Sequence, residues 1–142
     1  MKPHSITMFD RIFFASLILG LLGYFLTYDV VAAQLTADPA MAAIGITPLP
    51  FIIVTGAIGF GINLLLWFFI SKGRSAVAKW IFTVLVVLGL ASLPFSLGDL
   101  PVLVIANSLV AAVLQVAMLY FLFRPESKPW FDKTKGRADP SV

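Results

Sequence analysis

The sequence predicts an all-α polytopic membrane protein: an antiparallel four-helix transmembrane bundle with a short outer-surface helix between the first and second spans. Three observations favour this fold class. The 142 residues are 60% hydrophobic and 12% charged, with a mean hydropathy of +0.99, whereas roughly a quarter of the residues in soluble domains are charged. Four long stretches carry no charge, and the basic residues fall into three clusters between them.

Each uncharged stretch can hold one membrane span. A helix rises about 1.5 Å per residue and the hydrocarbon core is about 30 Å thick, so a span needs roughly 20 apolar residues. The sequence predicts a bundle over residues 1–123 and a cytoplasmic basic tail over 124–142. The four spans are expected at about 8–30, 49–70, 76–95 and 100–123.

The charge distribution predicts the orientation. Basic residues precede the first span, separate the second from the third, and follow the fourth. The other two connections carry only the acidic residues Asp29, Asp38 and Asp99. Because basic residues resist translocation, we expect a multi-pass plasma-membrane protein with both termini in the cytoplasm.

A cleavable signal peptide is the alternative for the first span. The basic start, the apolar stretch over Ile12–Leu26 and the small residues before Gln34 resemble such a signal, and cleavage would leave three spans. However, the apolar stretch is long for a signal, and it carries a stripe of small residues that a discarded peptide would not need. We therefore expect residues 1–33 to be retained.

Capping residues predict two helix starts. Ser5 is expected to cap the first span at its cytoplasmic end. Asp38 and Pro39 predict the start of a short helix over Ala40–Ile44, which Gly45 would end. This helix is expected to cover the end of the bundle, with a ligand lid as the alternative.

The remaining connections are short. Gly73 is expected to reverse the chain and Ser75 to cap the third span, which makes a tight hairpin of the second and third spans. Pro94 either ends or kinks the third span. Asp99 is expected to cap the fourth.

Aromatic residues at the span ends predict the membrane interfaces. Tyr24 and Tyr28 suit the outer interface. At the cytoplasmic interface, the expected anchors are Trp67, Trp80, Tyr120, Trp130 and Phe131. For the pair in the tail, docking of a cytosolic partner is the alternative to lipid anchoring.

Small residues at helical spacing predict the faces on which the spans meet. Helix association in lipid depends on close backbone approach and interhelical hydrogen bonds. The predicted packing residues are Ser16, Gly20, Gly23, Thr27, Gly56, Gly59 and Ser108.

Three amides are the only strongly polar groups expected within the bundle: Asn63, Asn107 and Gln115. A primary amide in hydrocarbon needs hydrogen-bond partners. One interpretation pairs Asn63 and Gln115 with neighbouring helices. The other makes the amides contacts for a ligand or a permeating solute.

The sequence lacks the residues that most chemistry requires. It has no cysteine, its one histidine is His4, and no Asp, Glu, Lys, Arg or His lies in the interiors of the spans, away from their ends. These features argue against thiolate chemistry, intramembrane metal centres, proton-coupled transport and nucleophilic catalysis. An Asp38–Asp99 carboxylate pair is conceivable, but capping explains both residues. We expect no catalytic residue, metal, cofactor or nucleic-acid partner.

Three groups of residues form one pattern: Arg11 with Phe13 and Phe14, the turn Lys72-Gly73-Arg74-Ser75 leading to Ala78-Lys79-Trp80, and the ending Tyr120-Phe121-Leu122-Phe123-Arg124-Pro125-Glu126-Ser127 with Trp130-Phe131. This pattern covers most of the chain and resembles that of small, uncharacterised four-helix proteins of bacterial inner membranes. The resemblance implies a bacterial inner-membrane location and supplies no catalytic residues.

The sequence predicts helix-packing faces but offers no catalytic residues, and this combination favours a non-enzymatic accessory or scaffold component. Its expected partners are membrane lipids and either another membrane protein or further copies of itself. One alternative is a small oligomeric transporter or channel for a neutral or apolar solute, lined by Asn63, Asn107 and Gln115. Another is a protein that binds a lipid or apolar ligand at the connection between the first two spans.

Overall fold

The computed structural model describes residues 1–96 and 98–132, with only the backbone of Ser96, and every regular element in this part of the chain is helical. Three basic residues of the predicted cytoplasmic tail, Lys133, Lys135 and Arg137, lie outside the described residues. Seven elements follow in order: α1 (His4–Ala37), α2 (Pro39–Ala43), α3 (Pro48–Ser71), α4 (Ala76–Ser96), α5 (Val102–Leu122), a 3-10 turn (Pro125–Ser127) and α6 (Lys128–Phe131).

Four helices, α1, α3, α4 and α5, are long and apolar enough to cross a membrane. They correspond to the four predicted spans, and the all-helical fold class is confirmed at this level. The bounds of α3, α4 and α5 agree with the prediction to within two residues at each end.

The first helix is longer than predicted. α1 contains 34 residues, about 51 Å of helix, whereas the hydrocarbon core is about 30 Å thick. The helix continues past residue 30, where the first span was expected to end, because residues 30–37 contain neither proline nor glycine. The first residue that opposes helix is Asp38, since a following proline disfavours the helical conformation.

The short helix between the first two spans is confirmed, one residue earlier than expected. The Asp38 carboxylate accepts a hydrogen bond from the Ala40 amide at 2.9 Å, and Pro39 occupies the first turn. Gly45 follows with φ of +69°, a conformation that favours glycine.

Two predicted caps are wrong. α1 begins at His4 after Pro3, and no side chain caps it. α5 begins at Val102 after Pro101, so Asp99 lies too early in the chain to reach its first amides. Ser5 is instead fully buried.

The turn after α3 reverses the chain in a different way from the one predicted. Ser75 does accept a hydrogen bond from the Ala78 amide at 3.2 Å, as expected. However, the positive φ of 53° belongs to Arg74. Gly73 is required for space, because a Cβ there would lie 2.9 Å from the Phe69 carbonyl oxygen.

Pro94 lies in the last turn of α4. The helix continues for only two residues beyond it, to Ser96. The sequence predicted that Pro94 either ends or kinks the third span, and its place at the end of α4 agrees with the first of these.

The long helices contact one another in a closed order. α1 contacts both α5 and α3, and α4 contacts α3 and α5. One cluster of buried side chains joins them: Ile6, Phe9, Phe13, Leu66, Ile70, Ala78, Phe82, Val86, Met118 and Leu122. We call residues 2–13, 66–86 and 118–131 the basic end, and residues 30–51 and 98–104 the opposite end.

Polar contacts tie α1 to α3 at the basic end. The Asp10 carboxylate accepts hydrogen bonds from the Trp67 indole at 2.9 Å and from the Lys2 ammonium. The same ammonium contacts the hydroxyl of Ser71, the last residue of α3. Trp67 is therefore held by a carboxylate as well as by its position in the helix.

The first part of the tail folds back over this end. The Trp130 indole donates to the Ile70 carbonyl at 3.2 Å, and the Arg74 guanidinium donates to the Trp130 carbonyl at 2.7 Å. The buried hydroxyls of Ser127 and Ser5 lie 2.9 Å apart. Residues 124–131 thus cover the ends of α1 and α3.

Gly73→Ala is expected to destabilise the protein. The new Cβ would press on a backbone oxygen that cannot move without distorting α3, and overpacking of this kind costs about 1–3 kcal/mol. The free energy of unfolding in mixed micelles measures the effect. Gly61→Ala is the control, because a Cβ at Gly61 meets nothing within 4 Å; equal stability of the two variants would contradict this account of the turn.

Candidate functional site

A cavity of about 270 Å³, partly open to the surroundings, lies between the long helices. All four contribute to its wall, and the polar side chains come from Ser16 and Tyr24 on α1, Asn63 on α3 and Gln115 on α5. The remaining wall is apolar or glycine. No charged residue lines this cavity.

The core closes the cavity toward the basic end. Phe13, Phe82 and Met118 line the cavity and are also buried members of the core. Beyond them, the Phe9 ring meets Phe82 edge-on at 5.7 Å, and Ile70 is fully buried. A solute in the cavity therefore meets a continuous layer of packed side chains on that side.

Asn63 does not form the interhelical hydrogen bond that one interpretation of the sequence required. Its amide nitrogen donates to the Gly59 carbonyl of its own helix at 2.9 Å. This leaves the amide oxygen of Asn63 without a partner among the described residues. The side chain lies at the cavity wall and is exposed.

Gln115 forms no hydrogen bond with any residue that the structure describes, and it also lines the cavity. It is half-buried. A primary amide has two donors and an acceptor, and leaving them unpaired in an apolar environment is unfavourable. Gln115 is thus the polar group of the cavity that most lacks a partner.

Asn107 has a different position. Its amide nitrogen contacts the Leu19 carbonyl of α1 at 3.4 Å, and a Cβ on Gly23 would lie 2.8 Å from the same nitrogen. Its buried oxygen has no partner in the described part of the chain. Asn107 therefore belongs to the contact between α1 and α5, apart from Asn63 and Gln115.

The predicted packing glycines also differ from one another. A Cβ on Gly20 would touch Phe60 at 3.4 Å, and one on Gly56 would lie 3.0 Å from Tyr24. A Cβ on Gly59 would meet nothing within 4 Å, because this residue faces the cavity.

The hydroxyls predicted to pack have modest roles. Ser16 and Thr27 donate to carbonyls of their own helix, Phe13 and Gly23, both at 2.7 Å. Ser108 is half-buried on α5. The close contacts between helices therefore involve the glycines and not these hydroxyl groups.

Tyr24 and Phe60 form a wall that the sequence did not reveal. Their ring centroids are 5.6 Å apart, and both line the cavity. Both also line an apolar groove of about 400 Å³ on the outer surface between α1 and α3. The location of Tyr24 at the outer interface stays a prediction. The sequence offers one signal for its contact with Phe60: a glycine lies opposite each ring, Gly56 opposite Tyr24 and Gly20 opposite Phe60.

The predicted interface anchors fall into two groups. Trp80 and Tyr120 are exposed, at 57% and 62%. Trp67, Trp130 and Phe131 are partly buried and pack against the core. Position at a span end therefore does not distinguish a lipid anchor from a packing residue.

Comparisons with protein families, curated proteins and solved structures find no match to this chain. The resemblance to small bacterial inner-membrane proteins stays a prediction. In the described residues, no group of three or more His, Cys, Asp or Glu side chains could hold a metal ion. The candidate site therefore rests on the cavity itself.

Gly23→Ala is expected to weaken the contact between α1 and α5. The added methyl group must displace the Asn107 amide from Leu19, at a cost of about 1 kcal/mol relative to the control. Gly89→Ala is that control, since a Cβ at Gly89 meets nothing within 4 Å. Unfolding free energies in micelles give the difference.

The same comparison in an Asn107→Ala background tests the cause. If the cost arises from displacement of Asn107, then Gly23→Ala and Gly89→Ala should have equal unfolding free energies in the Asn107→Ala background. An unchanged difference would assign the cost to another contact.

Proposed function

We propose that the chain crosses the membrane as an antiparallel four-helix bundle and binds a small, uncharged, mainly apolar molecule in its central cavity. The observation that carries the proposal is the Gln115 amide, which lines the cavity and has no partner among the described residues. A ligand with one hydrogen-bonding group would pair with it. The proposed role is non-enzymatic.

The lining of the cavity supports this ligand class. Without a charged residue, the wall offers nothing to balance a charged solute. The volume of about 270 Å³ lies just below the usual range for small-molecule sites, roughly 300–1,000 Å³. Gln115 and the free oxygen of Asn63 supply donors and acceptors, and the aromatic and aliphatic remainder favours an apolar body.

The surroundings of the cavity favour entry from the bilayer. The packed core obstructs the basic end, which argues against a through-channel within one chain. Tyr24 and Phe60 alone belong to both the cavity and the outer groove. Rotation of these two rings would join the cavity to this groove, a route that suits an apolar ligand.

Gly59→Leu is expected to abolish ligand retention. Its Cβ would meet nothing within 4 Å, and the rest of the side chain would take up space in the cavity that Gly59 lines. Gly61→Leu is the matched control: the same substitution on the same helix, also with free space, but outside the cavity lining. Native mass spectrometry after gentle extraction measures the bound small molecule.

The proposal is supported if wild type and Gly61→Leu retain the small molecule and Gly59→Leu loses it. Gln115→Leu should reduce retention of the molecule about tenfold or more, because leucine cannot form the hydrogen bonds of the amide. A small molecule bound equally by all four proteins, or by none, contradicts it. The unfolding free energy of each variant separates lost binding from lost structure.

Association with another membrane protein is the second candidate function, and the length of α1 favours it. About two helical turns, residues 30–37, extend past the predicted span, and α2 follows them with no buried residue. Much of this segment is apolar, and Ile44 after it is 68% exposed. A partner polypeptide in the same mass spectra, insensitive to Gly59→Leu, would favour this accessory or scaffold role.

The proposed orientation places the basic end in the cytoplasm of a bacterial cell and the opposite end outside the inner membrane, following the positive-inside rule. The chain has no cysteine, so single cysteines report cleanly. In intact cells, a membrane-impermeant maleimide should label Ala43→Cys and leave Lys72→Cys unlabelled until the membrane is opened. The reverse pattern would invert the proposed topology.

A further inference from the structure

The cations of the basic end differ in whether an oxygen atom balances them. Lys2 pairs with Asp10, and Arg124 pairs with Glu126 at 3.1 Å. Arg74 donates to two backbone carbonyls of the tail, at 2.7 and 3.3 Å. Each of these three side chains therefore has an acceptor within the molecule.

Lys79 has no acceptor among the described residues, although it is half-buried. Its ammonium group lies among three aromatic rings, 4.6 Å from the centroid of Phe123, 4.9 Å from Phe131 and 5.7 Å from Trp80. Aromatic faces attract a cation. They do not replace the strong acceptors that the three N–H groups of an ammonium can use.

A second ammonium belongs to the helix that contacts Lys79. Lys128 begins α6, and the ring of Phe131 at the other end of this one-turn helix lies 4.9 Å from the Lys79 ammonium. Lys128 is exposed and likewise forms no ion pair with the described residues. Positive charges on two contacting elements repel each other, and an anion between them would lower the electrostatic energy.

An apolar groove begins next to Lys79. It is shallow and open, has a volume of about 290 Å³ and is lined by Trp80, Ile81, Val84 and Leu85, so it follows one face of α4 from Lys79 toward the middle of the helix. Trp80 belongs both to the rings around Lys79 and to the groove. Charge and apolar surface are thus continuous, which is the arrangement of a phosphate group attached to an acyl chain.

We propose that Lys79 and Lys128 bind the phosphate of an anionic phospholipid, whose acyl chain lies along the α4 groove beside Trp80. The aromatic rings would hold the Lys79 ammonium in place, and the lipid phosphate would accept its hydrogen bonds. This site is separate from the central cavity and does not depend on the function proposed for it. Occupancy would also join α4 to the tail through one ligand.

Native mass spectrometry of the full chain with added phosphatidylglycerol or phosphatidylcholine tests the site. Wild type should retain phosphatidylglycerol preferentially. Lys79→Gln and Lys128→Gln should each reduce that preference about fivefold, because a basic residue near an anionic lipid contributes about 1 kcal/mol. Lys72→Gln is the matched control, since Lys72 is an exposed lysine of the same end with no aromatic ring around it, and it should retain the preference.

Lys79→Arg keeps the charge and should preserve most of the binding, which separates loss of the site from loss of structure. Lys128→Gln gives a second test at an exposed position that the fold does not need. Equal lipid preference in wild type, Lys79→Gln and Lys128→Gln would overturn the proposal, as would an equal loss in Lys72→Gln. Displacement of the lipid by millimolar inorganic phosphate would assign the site to free phosphate and would also overturn it.

Discussion

The packing of Phe9 and Phe13 of α1 against Phe82 of α4 is the contact on which the rest of the structure depends. The three rings lie within 6.5 Å of one another, and Phe13 also stacks on Trp67 of α3 at 6.1 Å. Lipid tails are as apolar as these side chains, so burial from lipid supplies little driving force. Close packing must hold the helices together, and it is concentrated where these rings meet.

This concentration of contacts explains why the two ends of the molecule differ. The buried cluster joins all four long helices at the basic end, where Asp10 and the folded tail add hydrogen bonds. Toward the opposite end, Val104 is the one buried apolar side chain that the structure describes outside this cluster. The cavity lies between the two regions, with its floor in the packed part and its Tyr24–Phe60 wall in the looser part.

Much of the fold could be predicted because prolines, glycines and charges mark the helix ends. Pro48, Ser75 and Pro101 lie at or beside the starts of α3, α4 and α5, and Asp38 caps α2 as expected. The end of α1 could not be predicted from a uniform membrane thickness, because nothing in residues 30–37 opposes helix. Likewise, Ser5 and Asp99 have the chemistry of caps but the wrong position relative to the prolines.

The site was predictable in its residue types and less so in its contacts. Sequence spacing singled out Asn63 and Gln115, and both side chains line the same cavity, although Asn63 is exposed and Gln115 half-buried. It could not show which partner Asn63 would choose, because a neighbouring helix and its own helix both offer acceptors. In the structure, Asn63 donates to the Gly59 carbonyl one turn earlier in its own helix. Pairs distant in sequence, such as Asp10 with Trp67 or Gly56 with Tyr24, depend on how the helices are arranged.

The positions of the tryptophans have a consequence for spectroscopy. All three indoles, Trp67, Trp80 and Trp130, lie at the basic end. Intrinsic emission therefore reports on the packed half of the protein and is nearly blind to rearrangement of α2 and of the adjoining ends of α1 and α3. Movements there would leave the fluorescence spectrum unchanged, and an indole introduced in that half would be needed to detect them.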